Sequence, residues 1–166
     1  MKSGVRLIDV EIGRHDWSAL ECGCGKAAAH LADDLLRLAA AQSSHEARAL
    51  HIDDHALIQS FPQEPAVPVT SVLMAALAGD LSDGARLVCL DLLGRLVDTD
   101  DEDSAQACQE IARQGLWLLY RDLWSGISRG ATDCAYYVLR VIETDEERLH
   151  AFKDSGQFEL CEDLAD

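Results

Sequence analysis

Residues 69–142 constrain the fold more than any other stretch, because apolar residues recur there at the helical period in four consecutive runs. The first run, 69–78, is broken by a turn at 79–84 that holds Gly79, Asp80, Ser82 and Gly84. The second, 85–97, precedes an acidic loop at 98–104; a long third run, 105–124, is followed by a turn at 125–130 and a fourth run, 131–142. At 100° per residue, Ala85, Val88, Cys89, Leu92, Leu93, Leu96 and Val97 fill one broad arc, with Arg86, Asp91 and Arg95 opposite. In the third run Cys108, Ile111, Ala112, Gly115, Leu116, Leu119 and Leu123 fill the same arc, and Gln109, Glu110, Arg113, Gln114 and Arg121 face away. Arcs this wide belong to helices covered by more than one neighbour. The stretch reads as two helical hairpins, one after the other.

The rest of the chain extends that pattern. Val5, Leu7, Val10 and Ile12 alternate roughly, which predicts a short extended arm within 1–25, ended by the glycine-rich turn Cys22-Gly23-Cys24-Gly25. Residues 26–41 predict a helix with Ala27, Leu31, Leu35 and Leu38 on its apolar stripe. Ser43 and Glu46 form a capping-box pattern for a helix running to about residue 60, with stripe Ala47, Leu50, Leu57, Ile58 and Phe61. Pro62, Pro65 and Pro68 mark an extended linker, and 145–153 a last short helix before an acidic tail, 154–166. Helical pairs open near 26, 68 and 107, about 40 residues apart, the period of HEAT and armadillo units. The expected fold is therefore all-α: a short α-solenoid of about three HEAT-like hairpins (26–153) in a single domain, with an N-terminal extended arm.

Composition agrees and narrows the function. Of the 166 residues 48% are hydrophobic but only 5% aromatic, which suits close-packed Ala/Leu helices and disfavours sheet. No run is long enough to span a bilayer and no signal-peptide pattern follows Met1, so a soluble, cytoplasmic protein without membrane association is expected. Thirty acidic against 14 basic residues give a formal charge of -16, which argues against nucleic-acid binding and for a basic protein partner. Cys89, Cys108 and Cys134 fall within apolar arcs and are expected reduced and poorly accessible.

The segments Ile52-Asp53-Asp54-His55, Ala66-Val67-Pro68-Val69 leading into Leu73–Leu77, and Gly115-Leu116-Trp117-Leu118-Leu119-Tyr120-Arg121 resemble a family of small bacterial HEAT-like proteins. Some members of that family resemble immunity proteins encoded beside polymorphic toxins. The resemblance spans roughly 15–150, rests on packing motifs, and implies binding rather than catalysis. At the Asp-Asn-His position of that pattern this chain has Asp53, Asp54 and His55.

Four constellations carry chemistry. Cys22 and Cys24, flanked by His15 and His30, have Cys-x-Cys spacing and no evident second ligand pair, so no metal or other cofactor is expected. His51, Asp53, Asp54 and His55 form a polar cluster in which Asp54 falls on the apolar stripe; it is expected buried and partnered, with an acid–base or metal role as the alternative. Asp98, Asp100, Asp101, Glu102 and Asp103 lack the Gly and Glu of a calcium loop and read as a solvated connector or a dock for a basic surface. Trp117, Tyr120 and Trp124, at i, i+3 and i+7 beside Arg113 and Arg121, have hot-spot composition, unless they pack under the next hairpin beside Tyr136 and Tyr137. No nucleophile–base pair or phosphate-cradling loop stands out, so an enzyme is not expected. The expected function is an immunity protein that neutralises a basic toxin domain. A general helical-repeat adaptor is the alternative, and a metal-dependent enzyme built on His51, Asp53, Asp54 and His55 is a more remote one.

Overall fold

The computed structural model describes residues 4–165. It is all-α: α1 (Leu7–Gly13), α2 (Ala29–Ala40), α3 (Ser44–Arg48), α4 (Ile52–Ala56), α5 (Ala66–Leu77), α6 (Asp83–Val97), α7 (Glu102–Gln114), α8 (Leu116–Ser125), α9 (Arg129–Ile142), α10 (Glu146–Asp154) and α11 (Glu162–Ala165). One small antiparallel hairpin, β1 (Leu57–Ile58) and β2 (Phe61–Pro62), follows α4, with Leu57 opposite Pro62. The first helices of three successive hairpins open at Ala29, Ala66 and Glu102, close to the expected period. α5 lies between α1 and α7, and α6 between α3 and α9, so the hairpins stack in two layers.

Local chemistry sets the boundaries. Ser43, Ser82, Asp101, Ser128 and Asp145 each accept a hydrogen bond from the amide three residues on, satisfying a donor that the helix itself leaves free. Pro65 caps α5 and Pro68 falls in its first turn, where a missing N–H costs nothing. The proline-rich stretch is thus a strand and a helix start, not a linker. Between the layers, Leu73, Leu77, Leu90, Leu93, Leu96, Leu119, Leu123 and Leu139 are sealed from solvent. Each Leu buried in this way contributes about 1.5–3 kcal/mol.

Several expectations are corrected. The N-terminal arm is not extended: α1 occupies it, with Ile8 and Ile12, four apart, buried and Leu7 and Val10 outside. A helix of only about two turns looks like alternation to a sequence reading. The helix expected over 44–60 breaks at His51, whose backbone is left-handed (φ 51°), into two five-residue helices. The long run after the acidic loop breaks at Gly115, where a Cβ would lie 2.3 Å from Cε of Met74. Gly115 leaves helical geometry (φ -109°, ψ 28°), and α8 begins at Leu116 with the apolar arc of Cys108 and Ala112 continued by Leu119 and Leu123. The tail does not float, since Leu160 and Leu164 pack on the core and the Cys161 amide donates to Asp133 at 2.9 Å.

Arg86, expected to face solvent, is buried. Its guanidinium donates to both oxygens of buried Asp122 on α8, at 3.0 and 3.1 Å, and to the carbonyls of Leu77, the last residue of α5, and of Gly79 just past it. Those carbonyls have no helical partner of their own, and Arg86 supplies one. A charged residue at a helix start reads as surface in a sequence; here it ties three helices together.

Candidate functional site

Three of the residue sets singled out in the sequence lie in separate places. The aromatic set stands on α8. Leu119 and Leu123 point into the core, as the continuous apolar arc places them, while Trp117 and Trp124 point out, 63% and 45% exposed. α10, launched from the Asp145 cap, lays Phe152 against them, with ring centroids 4.4 Å from Tyr120 and 5.6 Å from Trp124. Between α8 and α10 runs an apolar groove of about 680 Å³, lined by Trp117, Tyr120, Trp124 and Phe152 and edged by Arg121 and Ser125. The guanidinium of Arg148 lies 5.4 Å from the Trp117 ring centroid.

Two members of the set have other work. Tyr120 is buried and its hydroxyl donates to Glu143 at 2.6 Å; burial and the Glu143 carboxylate both push that phenol up. It forms the floor of the groove, not an accessible anchor. Arg113 spends its guanidinium on the Ile142 carbonyl at the end of α9 (2.8 Å) and on Gln109 (3.3 Å), so it does not flank the aromatics. Arg121 also donates to the Leu77 carbonyl, at 2.8 Å, yet half of its side chain stays in water. Tyr136 and Tyr137 lie elsewhere; the cover over the stripe is α10, with Phe152 unforeseen in the sequence.

The acidic set is partly structural. Asp98 accepts from the Tyr137 hydroxyl, and the Asp100 amide donates to the Ser60 carbonyl at the hairpin tip. Asp101 caps α7, and its bonds to Ser104 hold the carboxyl below its ordinary range. Asp98, Asp100, Glu102 and Asp103 are exposed, and of these Asp100, Glu102 and Asp103 have no side-chain partner among the described residues. α7, thirteen residues and about 20 Å long at 1.5 Å each, runs between this set and the start of α8.

The polar cluster does not assemble as expected. Asp54, expected buried, is 72% exposed with His51 3.5 Å away, because the left-handed break at His51 rotates α4 out of the phase a continuous helix would have. Asp53 pairs with Arg95 of α6 at 2.8 Å. His55 leaves these three and turns toward Cys22.

That turn completes a site of which the sequence groups three residues, Cys22, Cys24 and His30, and the fold supplies the fourth. Cys22 Sγ lies 3.0 Å from His55 Nδ1 and 3.7 Å from His30 Nε2, and the two imidazole nitrogens are 3.2 Å apart. With Cys24, the four donor atoms all lie within 4.8 Å of one another. Cys22 is buried, His30 and His55 half-buried, and Cys24 exposed. Burial raises the Cys22 thiol and lowers His55, while the Lys26 amide lowers Cys24. The backbone holds the turn in place: the Cys22 amide donates to Lys26 O (2.8 Å), Gly25 to Cys22 O (2.8 Å) and Gly23 to His55 O (3.0 Å). A Cβ on Gly23 would sit 2.9 Å from the Asp54 carbonyl, so only glycine lets this turn approach α4 so closely. His15, the other flanking histidine, is away from the cluster and bonds Ser71 at 3.0 Å.

The other cysteines follow expectation in part. Cys89 and Cys108 are sealed, and burial pushes the Cys89 thiol up to about 12. Cys134 is only half-buried. Among the described residues no helix is long and apolar enough to cross a membrane. Compared with protein families, curated proteins and solved structures, the chain matches none.

Proposed function

We propose that this protein works by binding another protein, and that the groove between α8 and α10 is its docking surface. The observation that carries the reading is the pair of exposed tryptophans, Trp117 and Trp124, held on either side of Phe152. Large rigid aromatics lose little entropy on docking and dominate binding energy where they meet a complementary pocket or side chain. The charge of -16 selects a basic partner. Its apolar side chains enter the groove while its Lys and Arg residues meet the exposed carboxylates of α10 and of the acidic loop. A basic toxin domain, neutralised in the cytoplasm by a small acidic immunity protein, has these properties.

The test is co-expression with a basic protein encoded beside this one, followed by binding kinetics. Formation of a complex that suppresses the neighbour's toxicity supports the reading. Trp117→Ala or Trp124→Ala should then speed dissociation at least about 30-fold, the equivalent of about 2 kcal/mol at a hot spot. Neutralising Asp100, Glu102 and Asp103 should slow association at low salt only, since a Debye length of about 8 Å screens rim charges at physiological strength. A toxic neighbour that forms no complex, or dissociation indifferent to both tryptophans, would remove the groove from consideration.

A further inference from the structure

We infer that Cys22, Cys24, His30 and His55 form a structural zinc site that locks the first repeat of the stack. The donor set and its geometry carry the inference. Zn–S bonds of about 2.3 Å and Zn–N bonds of about 2.0–2.1 Å, arranged tetrahedrally, put neighbouring donor atoms about 3.3–3.8 Å apart. The separations found here are 3.0, 3.7 and 3.2 Å, and every pair of the four falls within 4.8 Å. Four donors of the types zinc prefers thus converge on a volume the size of one ion. Two thiolates and two imidazoles in a tetrahedral set select zinc over the hard cations, which require oxygen. With all four positions filled by protein there is no open coordination site, so the metal is structural rather than catalytic.

The rival readings of the cluster fit less well. As a nucleophile–base pair, Cys22 and His55 have the distance but not the access, since Cys22 is 2% exposed. As a hydrogen-bond cluster alone, the thiol proton and one imidazole proton can link Cys22, His30 and His55, but that reading gives no account of Cys24, whose sulfur converges on the same three atoms. A single cation satisfies them all.

The place of the site in the fold gives it a purpose. Its ligands come from three elements: the turn 21–27, α4 and the first turn of α2. The five-residue α4, entered through a left-handed His51, is too short to hold itself. The chain between Cys24 and His55 is closed into a loop by the metal, which removes disorder from the unfolded chain much as a cross-link does. Where a site forms only in the folded chain, metal-binding free energy is folding free energy.

The experiment uses the full chain purified without chelator and without a metal-affinity tag. Elemental analysis should find one zinc ion per chain, and Cys24, though exposed, should resist thiol reagents until the zinc is removed. Cobalt added to the stripped protein should give the intense visible bands of a tetrahedral thiolate site, and Cys24→Ser should abolish them. The circular dichroism of that variant, set beside that of the stripped wild type, is the control that the helices outside the first hairpin persist. Stripping the metal should speed hydrogen exchange in 21–30 and 52–62 while leaving α6 and α9 protected. Protein that carries no zinc, takes up no cobalt at equimolar concentration and melts unchanged with chelator would overturn the inference. A cobalt spectrum equally strong in Cys24→Ser and His55→Ala would do the same, by placing the metal elsewhere.

Discussion

The second and third hairpins and the first are built on different principles, although they occupy equivalent places in the stack. α5, α6, α7 and α9 are continuous helices of 12 to 15 residues, sealed by leucines and alanines on arcs broad enough for two neighbours. The first hairpin has one such helix, α2. Its second half is two five-residue helices and a two-residue-per-strand hairpin, and its entry is a short 3-10 turn at Trp17–Ala19. The contrast teaches that a repeat can hold its position without its own continuous core. The first hairpin does so by borrowing α6 as a wall and by drawing its short pieces together at Cys22, His30 and His55.

Damage to the continuous part should cost most. Asp122→Ala leaves Arg86 buried without a carboxylate and uncovers the join between α5, α6 and α8. Breaking a buried pair in this way costs about 3–5 kcal/mol, and a denaturant titration should show it as one cooperative loss. Replacing both partners by apolar residues, as in Arg86→Met with Asp122→Leu, should recover much of that loss. An unchanged midpoint for Asp122→Ala would mean that the stack is held by its leucines alone.

Gly115→Ala should come next. The new Cβ would meet Cε of Met74 at 2.3 Å, so something must move, but the atom is the free end of a flexible side chain. The cost should sit at the low end of the range for overpacking, about 1 kcal/mol. The more telling readout is tryptophan fluorescence. A shift in emission without much loss of stability would show that this glycine sets the angle of α8, and so the opening of the groove.

How much of this was legible beforehand follows the same division. The continuous helices could be read because their apolar period persists over three or four turns, although their caps, Ser82, Asp101 and Ser128, come from the fold. The spacing of Trp117, Tyr120 and Trp124 set them outside the apolar arc but left open whether the next hairpin covered them. The exposure of Trp117 and Trp124 is read from the fold. The first hairpin was not legible, because its breaks depend on tertiary contacts: nothing local announces that His51 turns left-handed, and His55 then reaches Cys22 from 33 residues away. Cys22, Cys24 and His30 lie close in sequence, but the fourth donor exists only in the fold. Arg86 was misplaced because charge predicts exposure, whereas the bare carbonyls at the end of α5 and the carboxylate of Asp122 supply what a buried guanidinium needs.

The smallest effects should fall on the seam between the two parts. Arg95 on α6 reaches Asp53 on α4 at 2.8 Å, and Arg48 on α3 reaches Asp91 on α6 at 3.3 Å. Both pairs are more than a third exposed, so water and salt screen them, and Arg95→Ala should cost under about 1 kcal/mol. Asp54→Ala, at 72% exposure, should change stability by no more than about 0.5 kcal/mol and is the matched control. Burial pushes the Asp53 carboxyl up, but the Arg95 guanidinium outweighs it and holds the group below its ordinary 3.8. A depressed carboxylate stabilises the fold above that value, and its contribution disappears as pH falls through the lower, folded value. Acid titration of wild type and Arg95→Ala should therefore converge below pH 3.8 and separate above it. The difference should shrink in high salt and appear first as faster hydrogen exchange in α4 and the β1–β2 hairpin, with α6 and α9 unaffected. If Arg95→Ala instead lowered the global midpoint as far as Asp122→Ala does, the first hairpin would be an integral part of the cooperative unit. The seam would then carry the stability that the metal site and the shared wall of α6 are assigned above.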